Sequence, residues 1–278
     1  MEGNLFSQLD KLGLSGLQNL NIYEEPVKQE VVEKPVEKVF DETDFVFDKS
    51  YKCPVCENEF KSKAVKTGKA KLLEIDTDLR PKYQGVDALK YDCIVCTKCG
   101  YASLSRYFNY LNYTQAKAIS ESISANYKKD DKVYDTYTYD DAITRHQLAL
   151  ANAVVKRGKA SEKAYICLKL AWLIRGKCEN LPEDEENRED VIKELKAAEM
   201  QYIKNAYEGF YSAYSKESMP ICGMDQWTFT YLVADLARQC EDYSTCLKFV
   251  SEVIVSREAS AKLKERAREI RNLIKEKL

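Results

Sequence analysis

Two Cys-x-x-Cys pairs constrain this chain more than any other feature: Cys53-Pro54-Val55-Cys56 and Cys96-Thr97-Lys98-Cys99. A turn of this kind sets two sulfurs on one side of a metal, with backbone N–H groups directed at them. Two such turns complete a tetrahedron of thiolates. Gly100 follows the second pair and supplies the left-handed backbone often needed there. At the first pair that place falls to Glu57, and Asn58 is expected to take the unusual torsion instead. Phe60 and Tyr101 are placed to pack beneath the two turns. The stretch from Cys56 to Cys96 is long enough for a small sheet. Such a sheet has little core of its own without the metal. The expectation is one structural Zn2+ on Cys53, Cys56, Cys96 and Cys99.

Cys93-Ile94-Val95-Cys96 is a third pair on paper. Gly100, and the alternating strand in which Cys93 sits, favour Cys96 with Cys99 instead. A rival reading makes Cys53 and Cys56 a thiol-redox pair. Redox motifs sit at a strand-to-helix junction, where the helix N-terminus lowers the thiol pKa. Residues 58–65 read as a strand, and a second pair awaits the same metal. Four thiolates leave no open position for water, which argues against catalytic zinc.

The other cysteines fit this reading. Of ten, Cys167, Cys178, Cys222, Cys240 and Cys246 are scattered through helical sequence. Paired cysteines as metal ligands and scattered ones as small core residues indicate a reducing compartment. No apolar run is long enough to span a bilayer, and Met1 to Leu20 lacks the pattern of a signal peptide. A cytoplasmic location is expected.

Three regions follow from the pattern. Residues 1–44 hold a short apolar segment at 5–20 and a charged, proline-containing stretch at 24–44, read as a solvated linker. Order is expected to begin near Phe45. Residues 45–112 form a zinc-ribbon-like module, with strands at Ala64–Thr67, Lys71–Ile75 and Tyr91–Val95. Residues 113–278 are helical, at 114–128, 140–157, 160–177, 187–215, 225–240, 243–256 and 259–277. Thr114 is expected to cap the first of these. Glu183 to Glu186 place negative charge near the start of the fourth, which suits its macrodipole. The fold class is α+β, mostly α: a small zinc-ribbon-like β module followed by an all-helical, TPR-like domain of stacked helix pairs.

The net charge of −2 conceals a gradient: residues 1–50 carry −6, residues 51–112 carry +4, and residues 113–278 carry 0. The middle region is therefore the candidate for an anionic partner. Lys61, Lys63, Lys66, Lys69 and Lys71 are the nucleic-acid-binding candidates, with Arg80, Lys82 and Tyr83 as a stacking surface. Tyr107, Phe108, Tyr110 and Tyr113 form a further aromatic group. The opposing explanation is that these lysines are the wet side of strands and the aromatics pack a junction. The single histidine, His146, sits on a helix face, so no Ser–His–Asp or Cys–His constellation suggests itself. The acidic run Glu183–Asp190 reads as a solvated helix start. Tyr202, Tyr207, Phe210, Tyr211 and Tyr214 share a helix and read as core with wet polar ends.

Several of these residues together resemble a known family. They are Cys53-Pro-Val-Cys56 with Phe60, Arg80-Pro-Lys-Tyr83 with Gly85, Tyr91-Asp92, and Cys96-Thr-Lys-Cys99-Gly100-Tyr101-Ala102. The chain is similar here to an uncharacterised bacterial domain of unknown function whose members join CPxC and CxxCGYA knuckles to TPR-like helices. The resemblance runs from about Phe45 to the C-terminus. It implies a zinc-ribbon-like module with the ligand role on the same four cysteines, and no assigned activity. The helices resemble tetratricopeptide repeats in outline, most closely over 230–256, where Ala234, Ala237, Tyr243, Cys246 and Val250 fall near that repeat's small and aromatic positions. The repeat's tryptophan, glycine and final proline are missing. The function expected is a non-enzymatic interaction protein whose partner is a protein. Nucleic-acid binding and thiol-redox activity are the alternatives, and no membrane association is expected.

Overall fold

Asp41 accepts a hydrogen bond from the Thr43 backbone and caps a single 3-10 turn, Glu42–Phe45. The structure, a computed structural model, describes residues 40–129 and 132–275. The apolar segment at 5–20 and the charged stretch up to Val39 lie outside the described residues. The body begins slightly before Phe45, because Glu42 accepts from the buried Lys90 at 2.6 Å and from the Tyr91 hydroxyl at 2.8 Å. A carboxylate that neutralises a buried ammonium is held in place by the cost of leaving it unpaired.

Three antiparallel hairpins follow. β1 (Val46–Lys52) pairs with β2 (Glu59–Val65) across the first cysteine turn. β3 (Lys71–Ile75) pairs with β4 (Pro81–Gln84), with a register shift between Leu72 and Glu74. β5 (Cys93–Val95) pairs with β6 (Ala102–Leu104) across the second cysteine turn. Tyr91 and Asp92 are not in the third expected strand. Asp87 caps a 3-10 turn over Ala88–Tyr91, and β5 starts at Cys93.

The described residues form seven α-helices. α1 (Tyr113–Ile119) is capped by Asn112 rather than Thr114, in a reciprocal box with Gln115. It passes into a π turn at Ser120–Ser124 and stops short of residue 128. α2 (Tyr139–Val155) is opened by Thr138 and Asp141 in the same kind of box. α3 (Ala160–Glu179) and the long α4 (Arg188–Lys216) come next. α5 (Gln226–Gln239) and α6 (Tyr243–Val255) follow, capped by Asp225 and Asp242, and then α7 (Ala261–Lys275). Residues 183–186 lie in the turn before α4, and its first turn carries Glu189 and Asp190.

The main core draws Leu168 and Trp172 from α3, Ile203 and Phe210 from α4, Phe229 and Val233 from α5, Phe249 and Val253 from α6, and Ile270 from α7. Phe210 and Phe229 meet edge to face at 5.4 Å. The β5–β6 hairpin does not stand apart from the helices. Cys93, Val95, Ala102 and Leu104 bury one face against Ala149 and Ala153 of α2 and Ile166 and Leu170 of α3. Apolar area removed from water is worth roughly 25 cal/mol per Å², so this contact ties the second cysteine turn to the helical core. Tyr207 and Tyr214 keep their polar ends on Asp242 and Glu252, as expected of core tyrosines with one wet end.

His146 lies on the buried face of α2, fully enclosed, with Nδ1 2.7 Å from the Ala142 carbonyl. The ring is neutral and donates that bond. Burial depresses its pKa to about 4, against the pull of the Ala142 hydrogen bond and the Asp92 charge, with Lys169 and Arg145 adding to the depression. An unfolded histidine takes up its proton near 6.5. As pH falls from there toward 4, the unfolded chain binds a proton that the folded one refuses, and stability drops by up to about 1.4 kcal/mol per pH unit. Above that window the contribution is complete. Urea melts between pH 7 and pH 4 are expected to show this decline in the parent chain and a shallower one in His146→Gln.

Candidate metal centre

The two cysteine turns share one hydrogen-bond pattern. In the first, the Cys53 N–H donates to the Asn58 carbonyl at 2.9 Å and the Glu57 N–H to the Cys53 carbonyl at 2.9 Å. In the second, Cys96 donates to Tyr101 at 2.8 Å and Gly100 to Cys96 at 2.9 Å. The closing residue of each is left-handed, with φ 56° at Glu57 and 73° at Gly100. Asn58 does not take that torsion. The first turn keeps the same geometry and places the strain on Glu57, whose carboxylate sits 3.8 Å from Lys52 on the surface. The left-handed region costs a residue with a Cβ about 1–2 kcal/mol.

Gly100 has a second reason to lack a side chain. A Cβ there would run into the Tyr127 ring. Gly100→Ala therefore pays both the torsion and the clash and is expected to lower stability by about 2 kcal/mol or more. Glu57→Gly relieves only torsion and is expected to raise it by up to about 1 kcal/mol. Thermal melts of the two variants, side by side, check the opposite signs.

The four sulfurs converge. All lie within 4.8 Å of one another, with Cys53 3.6 Å from Cys99 and Cys56 3.7 Å from Cys96. Ligands at about 2.3 Å from a tetrahedral centre are about 3.8 Å apart, whereas a disulfide is about 2.05 Å. None of the cysteines is disulfide-bonded. Cys53, Cys96 and Cys99 are buried and Cys56 is half-buried. Hydrogen bonds shared among the sulfurs pull Cys96 down to about 2 and push Cys53 up to about 12, and Cys99 is raised as well. Four sulfurs at ligand spacing with no disulfide between them are a donor set that fits a metal ion. It is the one such group among the described residues.

Aromatic and helical residues build the floor of the site. Tyr51, Phe60, Tyr101 and Phe108 form a ring cluster beneath it, and the Tyr101 hydroxyl donates to the Phe108 carbonyl at 2.8 Å. Asn152 of α2 donates to the Gly100 carbonyl at 3.0 Å. Arg145 of α2 joins both hairpins, reaching Ser62 at 2.9 Å and the Cys93 carbonyl at 3.2 Å, with its guanidinium 4.3 Å over Tyr137. Sequence reading passed over Asn152 and Arg145. Their signal was a polar residue on the alanine-rich face of α2.

Cys93 takes no part in the cluster. It is fully buried, directs its thiol to the Arg145 carbonyl at 3.2 Å, and is pushed up to about 12 by burial. The residues after Cys56 form β2, so no helix N-terminus acts on Cys53 or Cys56.

The candidate nucleic-acid residues do not form one open basic surface. Lys63 pairs with Asp48 at 3.0 Å, and Lys66 donates to the Asp44 carbonyl at 2.9 Å. Lys61, Lys69 and Lys71 are exposed. Arg80 is buried and paired with Glu179 at 2.8 Å, and Lys82 is paired with Glu74 at 2.9 Å, so neither offers a stacking surface with Tyr83. Phe108 is core, whereas Tyr110 and Tyr113 are exposed.

No helix among the described residues is long and apolar enough to cross a membrane. No curated protein and no solved structure matches the chain. A family model described as "Uncharacterized protein conserved in bacteria (DUF2225)" matches residues 46–274, which spans both cysteine turns and runs into α7. The chain belongs to that bacterial family.

Proposed function

We propose that the four cysteines hold a single zinc ion that folds the protein, and that the helices form a non-enzymatic platform for a protein partner. The observation that carries the first half is the placement of the β5–β6 hairpin. One end presents Cys96 and Cys99, and one face is buried in α2 and α3. A metal there fixes the hairpin that the helices pack upon. Sulfur-only ligation in a closed set suits structural zinc and leaves no place for a substrate.

The helices support the second half. α5 and α6 are joined by the short turn at 240–242, with Ala234, Ala237 and Cys246 fully buried between them. This arrangement supports the tetratricopeptide-like reading. On α4, Tyr211 is 48% exposed beside Tyr207 and Phe249, which gives an aromatic anchor of the kind interfaces favour. The test is affinity purification of tagged protein from the native bacterium, with nuclease added, for the parent chain and Tyr211→Asp. A discrete protein that survives nuclease and is lost with Tyr211→Asp supports the reading. Turnover of a metabolite by the purified chain contradicts it.

A further inference from the structure

A second feature stands apart from the cysteines. A cleft of about 430 Å³ lies between the segment after β6, the α2–α3 turn and the segment before α5. Its walls include Arg106, Tyr107, Tyr110, Arg157, Lys159 and Cys222. The carboxylates that line it are already engaged. Glu162 pairs with Lys156 at 2.6 Å, and Glu217 accepts from the Ser161 backbone at 3.0 Å and its hydroxyl at 2.6 Å. The start of α3 is thus occupied by the chain's own Glu217 and is not free for an anion.

What remains unengaged is positive and aromatic. Arg157 and Lys159 are exposed, and their side chains have no ion pair or hydrogen bond among the described residues. Tyr110 is 77% exposed, with its hydroxyl and ring equally unengaged. Arg106 is held in place: it donates to the Cys222 carbonyl and lies 5.6 Å from the centroids of both Tyr107 and Tyr165. A fixed guanidinium, two free cations and an open ring around one small cleft are complementary to a phosphate joined to a planar base. The volume falls in the range of small-ligand pockets and admits one nucleotide unit. A base paired in a duplex would have to leave its stack to reach the ring.

We propose that this cleft binds a single nucleotide unit, with the phosphate on Arg157 and Lys159 and the base on Tyr110, supplied free or within a single strand. It does not depend on the scaffold reading, and it uses none of the lysines of β2 and β3.

The experiment is fluorescence anisotropy of a short labelled oligouridylate with the full, metal-loaded chain, and competition by AMP. Binding is expected, weakened about tenfold or more by Tyr110→Ala. The double variant Arg157→Gln/Lys159→Gln is expected to flatten the logarithmic salt dependence by about 0.7, from one phosphate neutralised on a single strand. All three positions are exposed, so melting temperature and metal content should match the parent. Lys61→Gln/Lys63→Gln should bind as the parent does. Displacement by AMP supports free nucleotide as the source, and binding of the oligomer alone supports a strand. The proposal is overturned if neither probe binds, if the cleft variants bind as the parent does, or if only an acidic peptide binds at these residues.

Discussion

Arg175→Met is expected to destabilise the protein by about 3–5 kcal/mol, because it leaves a fully enclosed carboxylate without its partner. Asp78 sits in the loop between β3 and β4 with its side chain completely buried. Arg175 of α3 meets it through Nη2 at 2.7 Å and Nη1 at 3.2 Å, reaches Asp76 at 3.1 Å, and meets Glu199 of α4 at 2.7 Å. Burial by itself would raise the Asp78 pKa; the Arg175 charge overrides it and holds the carboxyl below its usual range. The same loop is fastened elsewhere. Thr77 donates to the buried Asp235 at 3.1 Å, and its carbonyl accepts from Tyr231 at 2.8 Å. Arg266 of α7 reaches the Ile75 carbonyl at 3.1 Å. Asp235 is raised by its burial, against the pull of Arg238. Two buried carboxylates in one network make the cost of losing a cation high. The double variant Asp78→Leu/Arg175→Met should recover part of the loss, since the fully enclosed Asp78 charge is then removed and only the partly exposed Glu199 and Asp76 lose a contact. Urea melts of the two single variants and the double variant give the coupling directly. Additive losses would show that the pair does not act as a unit.

Cys96→Ser is expected to abolish retention of the metal and to cost about 4 kcal/mol or more. Cys96 is fully buried at the end of β5, and its turn is pinned by Asn152. On the zinc reading, losing the metal there is expected to loosen the hairpin on which α2 and α3 pack. Cys56→Ser should also release the metal, yet cost less, because Cys56 is half-buried at the rim of the β1–β2 hairpin. Melting temperature with metal analysis separates the two. Equal costs at both positions would mean that the second turn has no special hold on the helices.

The sequence made some of this legible and hid the rest for physical reasons. Repeating apolar positions located α2 to α7 within a few residues, because one buried stripe leaves a periodic trace. The knuckle motif located the four-cysteine cluster, since ligand chemistry demands short fixed spacing. β4 and β6 run only from Pro81 to Gln84 and from Ala102 to Leu104, too short to display alternation. The left-handed torsion went to Glu57, because the turn's hydrogen bonds fix the position and the residue type must comply. Arg80 and Lys82 looked like surface cations. Their acidic partner Glu179 is distant in the chain and close only in the fold. Pairings of that range have no signature in a single sequence, and they set the difference between a basic patch and a structural clamp.

The central claim is that the fold is built around one zinc ion on four cysteines. Native mass spectrometry of protein purified without added metal, paired with a thermal melt before and after chelation, tests it most directly. The account predicts one zinc per chain, no visible absorption, no metal in Cys96→Ser, and a melt that falls on chelation and recovers on returning zinc. A metal-free chain with an unchanged melt, or one that carries coloured iron at this site, would contradict it.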